Sequence, residues 1–191
     1  MKLFIVTCTL CLLTSFQNNR EVIIDKAEAQ KAFHLLNDIR RNPVNFHQEL
    51  GFPKSIKPST IALKWNEKLA QVAEDKAADM ATRNYFGHVD PDGYGINYFI
   101  NKCGYKLVPA WLKEKSLNYF ESLAVNTSGG EQSIKYLVID AKTPSLGHRK
   151  HLLGLDKWNA SLTDIGIGFA RRETGSKYKT YTCIIIAKHD W

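Results

Sequence analysis

No apolar run in this chain is long enough to cross a bilayer. The longest uncharged apolar stretch is residues 3–13, eleven positions, where a spanning helix needs about 20. No glycine-rich loop links a strand to a helix, which removes the usual cradle for nucleotide phosphates. There is no Gly-x-Ser-x-Gly, the turn that exposes the nucleophile of many serine hydrolases. Repeats, low-complexity tracts and a second domain are also missing. Positive charge is plentiful, with 26 Lys and Arg against 19 Asp and Glu and a formal net charge of +7, but it is not gathered. Arg40-Arg41, Lys113 and Lys115, Arg149-Lys150, Arg171-Arg172, and Lys177 with Lys179 spread it along the chain. Nucleic-acid binders concentrate such charge on one face, so no nucleic-acid partner is expected. A diffuse positive surface still favours weak adsorption to anionic cell envelopes.

What remains is an ordinary globular composition, 44% hydrophobic and 24% charged over 191 residues, enough for one domain with a real core. The chain opens with Met1-Lys2, the short apolar stretch, and Thr14-Ser15-Phe16-Gln17. That is the layout of a secretory signal peptide. We expect residues 1–17 to be a signal, 18–27 a short polar leader and 28–191 the folded domain. The product is expected to be secreted, periplasmic or extracellular, and not transmembrane once the signal is gone. Of four cysteines, Cys8 and Cys11 would leave with the signal. Cys103 and Cys183 stay, and in an oxidising compartment they can form one disulfide. The sequence does not place their Cα atoms, so a bridge and two free thiols are both open.

From Lys26 the pattern is helical: Ala29, Ala32, Phe33, Leu36 and Ile39 recur at three-to-four spacing, the mark of one buried face. Pro43 breaks that helix, and 44–50 reads as a second short one. Asn66 suits the cap of a longer helix with Leu69, Val72, Ala73, Ala77 and Met80 inward, ending near Arg83-Asn84. A helix is expected over 94–102, closed by Gly104, a strand over 118–125, and a helix over 131–142. The runs 163–170 and 180–187, rich in Ile and aromatics, read as a β-hairpin. Helices first, then one strand, a helix and a hairpin point to a small antiparallel sheet covered by helices.

Two histidines stand in distinctive company, in Gly87-His88-Val89-Asp90 and Gly147-His148-Arg149, with Phe120-Glu121-Ser122-Leu123 between them. Two imidazoles and two carboxylates are raw material for a divalent-metal or acid–base site. Asp90 and Arg149 read as structural neighbours, and His151 as packing or surface. His34, His47 and His189 have no company that would recruit them. Ser122 or Ser145 could be written into a serine triad, but neither has the elbow that chemistry needs.

The order of motifs resembles the CAP superfamily, the cysteine-rich secretory proteins, venom antigens and plant pathogenesis-related proteins, and in particular its bacterial branch. The residues carrying the likeness are Leu-Lys-Trp-Asn-Glu-Lys-Leu-Ala at 63–70, Gly-His-Val-Asp-Pro-Asp-Gly at 87–93, Cys-Gly-Tyr at 103–105, and Glu-Ser-Leu-Ala at 121–124. Gly-His-Arg-Lys-His-Leu-Leu at 147–153 and Ile-Gly-Ile-Gly at 165–168 complete it. The resemblance spans about 28–188. It implies an α+β fold, a three-layer α-β-α sandwich with a small central antiparallel sheet and a cleft lined by two histidines and two acids. His88, Glu121 and His148 match the family's positions directly. Asp140 is the best match to the second acid, one methylene shorter than the usual glutamate, and Ser122 replaces the commoner asparagine. These departures bear on metal affinity more than on fold.

The set His88, Glu121, Asp140 and His148 is thus a candidate site for a divalent metal such as zinc, with the acids orienting the imidazoles. The functional expectation is a module that binds a ligand, a lipid or a cell-envelope component. The alternatives are a metal-dependent, peptidase-like hydrolase using His88 and His148, and a structural envelope protein.

Overall fold

The computed structural model describes residues 21–189. The expected signal segment lies outside the described residues. In chain order the elements are β1 (Ile23–Ile24), α1 (Lys26–Arg41), α2 (His47–Leu50), β2 (Lys64–Trp65), α3 (Glu67–Arg83), α4 (Ile96–Lys102), β3 (Glu121–Val125), α5 (Gly130–Ile139), α6 (Gly147–Leu153), α7 (Lys157–Ala160), β4 (Asp164–Arg171) and β5 (Thr180–Ala187). Single 3₁₀ turns sit at Pro43–Asn45 and Pro109–Leu112.

The hairpin expected from the Ile-rich runs is the middle of the sheet. β4 and β5 pair antiparallel along their whole length, from Asp164 opposite Ala187 to Arg171 opposite Thr180. β3 pairs antiparallel with the other side of β5, which leaves β3 as an edge strand in the order β1-β4-β5-β3. β1 and β2 share the far side of β4, the first antiparallel and the second parallel. These two-residue strands carry too few positions to show a period, and the polar-leader reading gave no sign of Ile23 and Ile24.

Side chains alternate between the faces of a strand, and two glycines assign the faces here. A Cβ on Gly166 would lie 2.1 Å from the Leu69 carbonyl carbon, and one on Gly168 would lie 2.2 Å from the Ala73 oxygen. The backbone of α3 therefore rests directly on this face, at a spacing only glycine permits. By register Cys183, Ile185, Glu121 and Leu123 share the α3 face, while Ser122, Ala124, Thr182 and Ile184 point to the other. That second face is covered by α1 and α5. Ser133 of α5 meets Thr182 Oγ1 at 2.7 Å across it, and Leu36, Ile39, Ile134, Leu137 and Val138 are buried there. Three layers follow, as expected.

Where helix ends differ from expectation, a polar contact is responsible. The helix expected over 94–102 starts instead at Ile96, because the Asp90 carboxylate takes the N–H of Asp92 and of Tyr94 into a turn. The helix expected over 131–142 stops at Ile139. Asp140 turns left-handed at φ 52° to cap it, a conformation that aspartate tolerates better than most residues. The strand expected from 118 starts at Glu121, since the Asn118 side chain takes the N–H of Phe120 and of Glu121. The stretch 44–50 divides into the 3₁₀ turn and the one-turn α2, closed by Gly51 at φ 63°.

Cys103 and Cys183 are both free. The Cys103 thiol donates to the Ile100 carbonyl at 3.0 Å, at the end of α4. Cys183 lies within the sheet, where its thiol points at Glu121 Oε1, 3.4 Å away. Burial pushes the Cys183 thiol well up, and the nearby Glu121 charge adds to this, so it stays protonated and unreactive. Protein prepared from residue 18 should titrate two thiols per chain when denatured without reductant. A count of zero would mean the pair bridges after all.

Candidate functional site

Each of the four candidate residues reaches the cleft from a different element. His88 follows the end of α3, on a segment that buried Lys76 holds by donating to the Tyr85 hydroxyl at 3.1 Å and the His88 carbonyl at 3.3 Å. Arg83 fixes the next turn, clamping Asp79 through two nitrogens while also reaching Asp90 and Asp92. Asp90 is accordingly a turn-former, as its place beside His88 implied. On the second bank, Arg149 donates to the carbonyls of Val138 and Ile139 at 2.6 and 2.7 Å. It thereby closes the open end of α5 and ties α6 to it.

These supports place two matched pairs on opposite sides of β3. On the α3 face, His88 Nδ1 lies 2.8 Å from Glu121 Oε2, a carboxylate whose side chain has no exposed surface. On the other face, His148 Nδ1 lies 2.8 Å from Asp140 Oδ1. The same Asp140 carboxylate accepts the main-chain N–H of His148 and, at 3.3 Å, that of Arg149. Burial by itself would raise the Asp140 pKa. Hydrogen bonds from His148, Thr143 and the Arg149 backbone outweigh it, and the net direction is down.

A carboxylate on Nδ1 selects the tautomer with its hydrogen there, which leaves the Nε2 lone pair for something else. Neither Nε2 makes a bond among the described residues. Both rings line the same cleft along the β3 edge. One part, about 380 Å³, also takes in Asn118, Tyr119, Ser122 and Asn159. The other, about 390 Å³, runs over Leu123, Ala124 and Val125 between Phe86 on one bank and Tyr136 and Ile139 on the other. The acids are spent on orienting imidazoles. Among the described residues no three His, Cys, Asp or Glu side chains group around one point where an ion could sit.

This fold and this arrangement have relatives. The family model of the cysteine-rich secretory protein family, CAP, matches residues 33–185. The chain belongs to the CAP family. Among solved structures, an extracellular protein of Bacillus anthracis containing an SCP domain superposes with a TM-score of 0.53 at 23% identity, over 86% of this chain and 41% of that one. An outer surface protein of Borrelia burgdorferi does so with a TM-score of 0.50 at 17% identity, over 88% of this chain and 98% of that one. At these identities the likeness is one of fold, and this chain spans less than half of the Bacillus protein. No curated protein matches it in sequence.

The floor of this CAP cleft holds a pair that reading the sequence missed. His151 is buried, and its Nδ1 lies 2.8 Å from Ser122 Oγ. Burial drives its pKa down to about 4, against a smaller opposing contribution from the Ile186 backbone. His151 is therefore neutral near pH 7, and a hydrogen bond joins its Nδ1 to the Ser122 hydroxyl. The signal was available in the serine at 122 where the family more often has asparagine, opposite a histidine three residues after His148. With 1% of its surface exposed, Ser122 is a packing contact and not a nucleophile. His34 and His47 stay outside the cleft, and His189 stacks on Tyr105 at 3.8 Å.

A larger hollow of about 710 Å³ lies between α3 and α4, walled by Tyr94, Tyr98 and Phe99. Three of its aspartates, Asp79, Asp90 and Asp92, are already bound by Arg83. The histidine cleft differs in offering ring nitrogens that no described residue bonds.

Proposed function

We propose that this CAP domain is an extracellular binding module that takes its ligand in the cleft between His88 and His148. One observation carries the reading. Two buried carboxylates, one on each face of the edge strand, each hold an imidazole by Nδ1 and leave its Nε2 for a guest. An arrangement serving only stability would have no need to keep both outer nitrogens unbonded. Phe86, Tyr136 and Ile139, all large and exposed, sit on the banks of the same cleft. They suit a ligand with apolar parts, such as a component of the cell envelope.

A divalent ion such as zinc belongs in this reading as a loosely held guest. His88 and His148 would hold it through Nε2, with Glu121 and Asp140 keeping each ring in the correct tautomer. The other positions would fall to solvent or to the ligand. Catalytic zinc sites use three protein donors, and this cleft supplies two nitrogens, so the hydrolase alternative has less support than binding. When bound, the ion would add positive charge at the point where the ligand enters.

Zinc is the probe that tests this. Added to isotope-labelled protein, it should move the ring signals of His88 and His148 together and saturably. His88→Ala and His148→Ala should each abolish the effect while lowering Tm only slightly, because both rings are partly exposed and fill little core volume. Saturation that leaves both rings unmoved would overturn the reading. So would Ala variants that melt many degrees lower with zinc binding intact, which would make the pairs purely structural.

A further inference from the structure

The floor of the cleft is the edge of a sheet, and most of its outward hydrogen-bonding groups have no partner among the described residues. Register places Ser122 and Ala124 opposite Ile184 and Thr182. Ile186 donates to the Phe120 carbonyl, and Asn126 donates to the Thr180 carbonyl. In an antiparallel pair, bonded and non-bonded positions alternate, so the main chains of Glu121, Leu123 and Val125 turn the other way, out of the sheet. The Glu121 N–H is taken by Asn118. The Leu123 and Val125 N–H groups, and the carbonyls of all three residues, have no partner among the described residues. This open row forms the floor of the groove that contains Leu123, Ala124 and Val125 and ends at the two histidines.

We propose that the occupant of this groove is an extended segment of a partner polypeptide, which adds to β3 as a further strand. The proposal rests on the cleft reading above and names the class of ligand. The row repeats every second residue, about 6.8 Å, and only a polypeptide backbone carries alternating donors and acceptors at that spacing. A lipid or sterol in the same groove would cover those N–H and C=O groups and leave them unbonded, a cost that a peptide avoids. Side chains of an added strand would point alternately to the two banks, toward Phe86 on one side and toward Tyr136 and Ile139 on the other.

Charge completes the description of the partner. Glu121 and Asp140 are buried and paired with their imidazoles. What the groove presents at its histidine end is two imidazole edges and exposed Lys142, on a chain of net charge +7. The complementary segment alternates apolar side chains where it passes Phe86, Tyr136 and Ile139 and carries an acidic residue or its own terminal carboxylate where it meets His88 and His148. Peptide recognition by strand addition works in this way elsewhere, main chain for affinity and alternate side chains for selection.

The test uses a synthetic library of octapeptides that alternate apolar and variable positions and end in an acid, with amide hydrogen exchange of the protein read by NMR. The best binder should protect the Leu123 and Val125 amides, which exchange freely without it, and shift the His88 and His148 rings. N-methylating the peptide at one alternate set of amides should weaken binding about tenfold or more, as two main-chain bonds are lost. N-methylation of the other set should leave it unchanged. Binding that moves the histidines but protects neither amide and ignores both methylation patterns would overturn strand addition and leave the cleft reading standing. Failure of any library member to bind would overturn the proposal. Protection of Leu123 and Val125 that rises with protein concentration without peptide would overturn it in favour of a second copy of this chain on the same edge.

Discussion

Asp140→Ala should cost about 3 kcal/mol, far more than loss of the histidine it serves. The Asp140 carboxylate is almost wholly buried and is the acceptor for the His148 ring, the His148 N–H and the Arg149 N–H. Removing it strands donors that water reaches poorly, at roughly 1–3 kcal/mol for each fully buried group. It also puts alanine at φ 52°, where a residue without a short polar side chain is strained. A chain of this size should melt roughly 10 °C lower. Asp140→Asn keeps the shape, the tolerance of φ and an acceptor oxygen, and should lose about 1 kcal/mol. In the Ala variant zinc should move neither ring, because the ion needs both Nε2 atoms and Asp140 no longer holds His148 in place. A fall in Tm of less than about 2 °C would show that the carboxylate is not the junction between α5 and α6 described here.

Asp140 also marks the boundary of what the sequence makes legible. Its place in the set rests on a resemblance, and the helix expected over 131–142 would contain it. That it leaves the helix and turns left-handed follows from where His148 and Arg149 end up, which is tertiary information. The main elements were readable because each carries a period: α1 and α3 show one buried stripe, and β5 spans the 180–187 that its Ile-rich run marked. β1 and β2, two residues each, have no period to read. Gly166 and Gly168 were visible as a motif, but their reason, an α3 backbone lying on the sheet, needs the packed structure. The Ser122–His151 contact joins a strand and a helix 29 residues apart, and neither residue is unusual alone.

That contact gives the second large effect, a dependence of stability on pH. Unfolded, His151 titrates near 6.5, whereas folded it does so at about 4, chiefly because of burial. Between those values the unfolded chain binds the proton and the folded one does not. Stability therefore stays level above about pH 6.5 and falls as the pH drops toward 4, by roughly 3 kcal/mol across the window. Protonation has little to offset it. The charges that act most on the ring are cationic, with His148 and Arg40 ahead of His88. Arg40 is itself buried, its guanidinium has no hydrogen-bond acceptor among the described residues, and desolvation lowers its pKa to about 10. The lowered pKa of Asp140 has the same sign but acts lower, as that carboxylate protonates below its usual range. Chemical denaturation at pH 7, 6, 5 and 4.5 should expose the slope. The double variant Ser122→Ala, His151→Leu, which replaces the polar pair by apolar groups without stranding either partner, should flatten it. If wild type and double variant lose stability in parallel from pH 6.5 to 4.5, His151 titrates normally in the folded protein and is not sealed beneath the cleft.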